Sequence, residues 1–209
     1  LEYHTQALSI LREIGDRDAI CQVLTTLGMV FYHSGQHEMA RNQCQQALPI
    51  AQETKNKLTQ TRALISLGHT LRESGDLDGA TDAYRQALAL ALELGLPDFY
   101  AKQAQTGLAA IALARGDLAE AQAPLEEILN YLGMHSLSTR DEAAWIYLSC
   151  YRILQANADP RARPTLEAAY NFIQDIAARI DDETLRASFL QNARFNREIL
   201  QAWESLATV

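Results

Sequence analysis

The chain has 209 residues, 26 acidic against 18 basic side chains, a formal charge of −8 and a hydrophobic share of 48%. That balance argues against a general nucleic-acid or anionic-membrane binder, and no run of 18 apolar residues is present to cross a bilayer as a helix. With 10 Gly, 5 Pro and abundant Ala, Leu and Gln, the composition favours helix throughout.

The apolar positions Leu8, Leu11 and Ile14, with Tyr3 and Ala7 beside them, recur at three- and four-residue steps and predict a helix ended by Gly15-Asp16. A second helix, about 18–34, carries Leu24, Leu27, Gly28 and Phe31. Its partner, about 37–54, turns Ala40, Cys44, Ala47 and Leu48 inward, and Pro49 within it is expected to kink rather than end it. The next pair repeats the arrangement with Leu64, Leu67, Gly68 and Leu71, then Ala80, Tyr84, Ala87 and Leu88. Gly95-Leu96-Pro97-Asp98 closes it, as glycine past a helix end, proline, and an aspartate N-cap. A third pair uses Leu108, Ala109 and Ala112, then Ala121, Leu125, Ile128 and Leu129, with Asp117 and Glu120 resembling a capping box. Gly133-Met134-His135-Ser136 reads as the next break, and Thr139 with Glu142 as a capping box for the helix after it. The fourth pair drifts: Ser149 and Cys150 stand where Leu-Gly stood, Asn157 takes the turn, and Ala162, Leu166, Ala169 and Tyr170 follow, with Pro164 in the first turn. Beyond Asp182 two short helices, with stripes Leu185, Phe189, Leu190 and Phe195, Ile199, Leu200, Trp203, are expected to cap the open end.

The segment Gly35 to Leu48 is the key to this order, because its skeleton returns. Ala40, Ala80, Ala121 and Ala162 stand 40, 41 and 41 residues apart, and Gly35, Gly75, Gly116 and Asn157 precede them as turn residues able to enter the left-handed region. A period near 40 with two helices per period predicts an all-α fold, an α-solenoid of antiparallel helix pairs with a C-terminal helical cap, about 11 helices in all. One domain is expected. Residues 1–15 are the second helix of a truncated repeat; 16–56, 57–96 and 97–137 are repeats, 138–180 a divergent repeat, and 181–209 the cap. The half repeat at the start leads us to expect a fragment of a longer protein. Cys21, Cys44 and Cys150 are odd in number and far apart, and are expected to be reduced and buried.

The spacing Leu24-x-x-Leu27-Gly28-x-x-Phe31 followed by Ala40-x-x-x-Cys44-x-x-Ala47 resembles the tetratricopeptide repeat, and Leu64, Leu67, Gly68, Leu71, Ala80, Tyr84 and Ala87 match it better. The resemblance implies a right-handed superhelix that binds proteins or peptides. Three departures accompany it: the period is 40–41 instead of 34, Pro97 alone marks a repeat end, and Gln105 fills a slot that is usually large and apolar. The long period is similar to arrays in bacterial multi-domain signal-transduction ATPases and regulators, which implies a cytoplasmic sensor or scaffold.

No phosphate loop, dinucleotide fingerprint or nucleophile and base pairing is legible, so no enzyme, cofactor or metal is expected. His33 and His37 have metal-pair spacing, but Gly35 interrupts the helix between them, and turn histidines explain them better. What remains is a surface. In the tetratricopeptide family the first helix of each pair lines the concave side. The corresponding positions here are Gln22, Thr25, Met29, Tyr32 and His33; Arg62, Ile65, His69 and Arg72; Gln103, Thr106, Ala110 and Leu113; and Ala144, Tyr147, Tyr151 and Leu154. Tyr147 and Tyr151 either line this groove or pack against the cap, and Arg72 either faces a partner or pairs with Glu73. Thr25 and Met29 stand where a carboxylate clamp would need lysine and asparagine, which disfavours a chaperone C-terminus as the partner. The alternatives kept open are a ligand sensor and self-association through a stripe from Phe189 to Trp203.

Overall fold

A computed structural model describes residues 2–95, 98–134 and 142–207. Every regular element among them is an α-helix: α1 (Glu2–Ile14), α2 (Arg17–His33), α3 (His37–Glu53), α4 (Lys57–Glu73), α5 (Leu77–Glu93), α6 (Asp98–Ala114), α7 (Leu118–Gln122), α8 (Leu125–Met134), α9 (Glu142–Ala156), α10 (Ala162–Ala177), α11 (Glu183–Gln191) and α12 (Arg194–Ala207). The count exceeds the expected eleven because the second helix of the third repeat is interrupted at Ala123-Pro124, where proline supplies no N–H to continue the ladder. Pro49 has no such effect, since α3 runs through it. Gly133 and Met134 stay helical within α8 instead of breaking it. Pro97, His135, Ser136 and Thr139 lie outside the described residues.

The chain forms two compact units, 1–111 and 112–209, with α6 crossing the boundary. In the first, α2 packs on α3 and α4 on α5, while α3 also packs on α4, and α1 lies against α2. On α1 only Leu8 is fully buried; Tyr3 and Ile14, expected on its apolar face, are exposed. The pairs are tied at matching positions. Arg17 of α2 meets Glu53 of α3, and 40 residues on Lys57 Nζ lies 2.5 Å from Glu93 Oε1. Helix starts repeat as well: Asp16, Asn56, Asp76, Asp117 and Asp182 each accept the backbone N–H three residues on, at 2.8–3.1 Å. Gln36, at the same slot before α3, makes no such bond.

The turns correct one sequence expectation. Gly35, Gly75 and Gly116 have positive φ, but in the fourth repeat it is Ala158 (φ 52°), not Asn157, that takes this conformation. The Asn157 side chain instead donates to Ile153 O at 2.9 Å. Asp159 N–H then bonds Leu154 O as Asp117 N–H bonds Ala112 O, which places the true turn one residue later than the spacing suggests. Between repeats, Gly15 and Gly95 share a slot with Lys55, a non-glycine residue at φ 54°.

The core of the first unit depends on a size exchange. Cys44 and Tyr84 hold equivalent positions in α3 and α5, each facing a glycine of its own pair: a Cβ on Gly28 would lie 2.7 Å from Cys44 Sγ, and one on Gly68 2.8 Å from the Tyr84 ring. On the following helix Cys44 meets Ser66, Sγ to Oγ 3.1 Å, whereas Tyr84 meets Gly107, whose Cβ would lie 2.4 Å from Cζ. The larger wedge requires the smaller neighbour. All three cysteines are free and buried, and burial raises the Cys44 thiol to about 11 and the Cys150 thiol to about 12.

In the second unit α9 packs on α10, and α12 packs on both, with α11 beside α10 and α12. Phe195 and Ile199 are buried, and Trp203 stacks on Tyr170 at 5.2 Å between ring centroids. Glu198 of α12 binds Arg152 of α9 at 2.8 Å and Arg194 at 2.9 Å. Burial works against its charge, but the two guanidiniums outweigh that and lower its carboxyl. Most of the apolar stripe from Phe189 to Trp203 is therefore used within the unit. Among the described residues no helix is long and apolar enough to cross a membrane.

Candidate functional site

The residues expected to line a groove divide into two sets. Gln22 and His33 on α2 are exposed, and Met29, Arg62 and Arg72 are half-buried. Thr25, Tyr32, Ile65, His69, Gln103 and Thr106 are buried, as are Ala144, Tyr151 and Leu154. Ala110, Leu113 and Tyr147 are intermediate. The physical reasons for burial are local. Thr25 and Thr106 turn their hydroxyls back to Cys21 O (2.9 Å) and Lys102 O (2.7 Å), so they close on their own helices. Tyr32 and His69 stack on each other, centroids 5.4 Å apart and planes 26° from parallel.

That stack belongs to a polar seam through the first unit. Tyr84 of α5 and His69 of α4 share a 2.7 Å hydrogen bond between the phenol oxygen and Nδ1, and their rings meet edge to face. Tyr32 also meets His33 edge to face at 5.2 Å between centroids and His37 at a tilt at 6.1 Å. Arg72 Nη2 donates to Glu73 Oε1 at 2.6 Å in a largely buried ion pair, 19% and 13% exposed. Burial drives His69 well below the usual imidazole range, with Arg72 and His33 adding to the effect, so the ring is neutral. For Arg72, burial opposes the charge, but the oxygens of Tyr84, Tyr32 and Glu73 more than offset it. Burial likewise raises the Tyr84 phenol. The seam thus holds one paired charge among neutral donors and acceptors. His33 and His37 belong to its aromatic edge, and among the described residues no three of His, Cys, Asp and Glu converge as metal ligands.

The second unit contains a cleft of about 290 Å³. Leu129, Leu132 and Gly133 of α8 form one side, Pro164, Thr165 and Ala168 of α10 the other, with Tyr147 of α9 and Arg161 completing it. The Tyr147 ring packs on Phe172 at 5.6 Å, and burial raises its phenol. Arg161, just before α10, reaches Glu126 of α8 at 2.5 Å and holds Asp159 through Nε (3.0 Å) and Nη2 (2.7 Å). These hydrogen bonds lower the Asp159 carboxyl to about 2. Of the cleft only Tyr147 was expected from sequence at a binding surface; Leu129 reads there as packing, Gly133 as a break and Pro164 as a first-turn residue. The rest sits on or just before second helices, which the repeat register assigns to packing, so the spacing carried no signal for the cleft.

A family model described as the MalT-like TPR region matches residues 1–195. No curated protein matches the chain. Among solved structures it is similar to BtubC of P. vanneervenii, at 16% identity over 99% of this chain and 89% of that one, TM-score 0.65. It is also similar to the Rap conjugation gene regulator of the plasmid pLS20 in complex with the Phr* peptide, at 17% identity over 99% of this chain and 69% of that one, TM-score 0.70. At such identities the likeness establishes the helical-repeat fold.

Proposed function

Since the chain belongs to the family of MalT-like TPR regions, we propose that it is a non-catalytic module that binds a protein or peptide within a larger regulatory protein of the bacterial cytoplasm. One observation carries this reading: on the consecutive first helices α2 and α4, the positions left accessible or half-accessible include Gln22, Met29, His33 and Arg62, a mixed polar and apolar set of the kind that partner surfaces use. The Rap regulator, with the same fold, was solved with a peptide bound, which supports the class of partner.

A peptide array and a pull-down with the isolated chain test it. Binding is expected to weaken about ten-fold in Arg62→Ala and His33→Ala, on the scale of one polar contact at an interface. Unchanged binding in both variants, or no partner in either assay, would count against the proposal.

A second reading, sensing of a small molecule, is favoured by the 290 Å³ cleft of the second unit. A thermal-shift screen against a metabolite panel separates the two, because a ligand at 100 times its Kd stabilises by about 2.7 kcal/mol. A flat response across the panel would exclude this second reading. Self-association through the Phe189 to Trp203 stripe has little free surface, since Phe195 and Ile199 are buried and Trp203 is stacked.

A further inference from the structure

The cleft between α8 and α10 has a chemistry distinct from that of the seam. Its walls are mostly hydrocarbon, from Leu129, Leu132, Pro164 and Ala168, with the Tyr147 and Thr165 side chains and the paired Arg161 guanidinium as polar members. A volume of about 290 Å³ leaves room for a fused aromatic ring. At Gly133, on the α8 side, a Cβ would meet none of the described residues within 4 Å.

The charges beside the cleft select what can accompany such a ring. Arg161 gives Nε and Nη2 to Asp159 and Nη1 to Glu126, so its donors on both edges are engaged by carboxylates. One guanidinium between two carboxylates leaves a net negative charge, and Asp159, lowered to about 2, stays ionised throughout the neutral range. An anionic group entering here meets excess negative charge. A cation meets the outward side of Glu126, which is exposed. The formal charge of −8 on the whole chain acts in the same sense at longer range.

We propose that this cleft is the pocket for one large aromatic side chain of a basic peptide segment, the aromatic ring between α8 and α10 and a neighbouring Lys or Arg beside Glu126. The inference rests on the peptide-binding reading above and adds the chemistry of the partner. Ala168 is exposed on the cleft wall, so a larger side chain there fills the space without entering the core.

The test uses the ¹⁵N-labelled chain with three probes, the capped peptides Lys-Trp-Lys, Glu-Trp-Glu and Lys-Ala-Lys, read by amide shift changes. Lys-Trp-Lys is expected to move the amides of Leu129, Leu132 and Thr165, with the other two at least ten-fold weaker. Ala168→Trp is expected to abolish the response and Ala168→Leu to weaken it. The milder variant keeps the experiment informative if circular dichroism shows that the Trp variant fails to fold. Glu126→Gln should narrow the gap between the Lys and Glu peptides. Shifts confined to residues of α2 and α4 would overturn this pocket while leaving the peptide-binding reading intact. No shift at any amide at millimolar peptide, together with an empty peptide array, would overturn both.

Discussion

A Cβ placed on Gly107 would lie 2.4 Å from Cζ of Tyr84, closer than real side chains approach, so the ring of α5 fits against α6 only because position 107 carries no side chain. Gly→Ala in a helix interior ordinarily stabilises by about 1 kcal/mol. Here the sign should reverse. Gly107→Ala is predicted to cost about 1–3 kcal/mol, the range for overpacking, measured by urea unfolding. Tyr84→Cys, which recreates the Cys44 arrangement, should recover part of that loss in the double variant. Strict additivity of the two changes would refute the size exchange.

The burial of His69, beside Tyr84, makes stability depend on pH. His69 is neutral in the folded chain, lowered first by burial and then by Arg72 and His33, while in the unfolded chain it titrates near 6.5. The unfolded state therefore takes up the proton first. The contribution is fully present above about pH 6.5 and is lost as the pH falls, with a slope up to about 1.4 kcal/mol per pH unit for one proton. Unfolding followed from pH 7.5 to 5 should show this decline, and His69→Gln should flatten it. A curve unchanged by that substitution would contradict the assignment.

Lys55 and Ala158 adopt a left-handed conformation that costs an L-residue about 1–2 kcal/mol, part of which glycine forfeits through its freer unfolded state. Lys55→Gly and Ala158→Gly are each predicted to stabilise by about 0.5–1 kcal/mol, seen as a higher midpoint in thermal unfolding. Asn157→Gly, where the sequence spacing puts the turn, should give no gain and should lose the bond to Ile153 O.

Gln36 precedes α3 without a side-chain cap, where Asp76 and Asp117 cap the equivalent helices. Gln36→Asp is predicted to add about 0.5–1 kcal/mol. Because the helix N-terminus also favours a charged carboxylate, the gain should shrink near pH 3, while the hydrogen bond of the neutral carboxyl keeps part of it. A gain that grew there would mean a different origin.

The repeat was legible because helix periodicity and turn glycines are local properties. The 40-residue step between Ala40 and Ala80, the turn glycines and the cap at Asp117 follow from rules that act over a few residues or recur by register. Two local details still escaped. Pro124 breaks a helix where Pro49 does not, and the turn of the fourth repeat moved one residue to Ala158, because Asn157 spent its side chain on a carbonyl.

The candidate sites were decided by contacts between helices. Sequence register put Tyr32, His69 and Arg72 among the positions expected to line a groove. Only packing showed that Tyr32 and His69 are consumed in a stack and that Arg72 is held by Glu73, leaving His33 and Arg62 as the more open side chains. The cleft at Leu129, Tyr147 and Ala168 had no signature, since its residues come from three helices and each alone reads as packing. By itself the sequence determined the fold and its period, which depend on near neighbours along the chain. Tertiary structure decided what each side chain has left to offer a partner, because burial depends on which helices converge at that point.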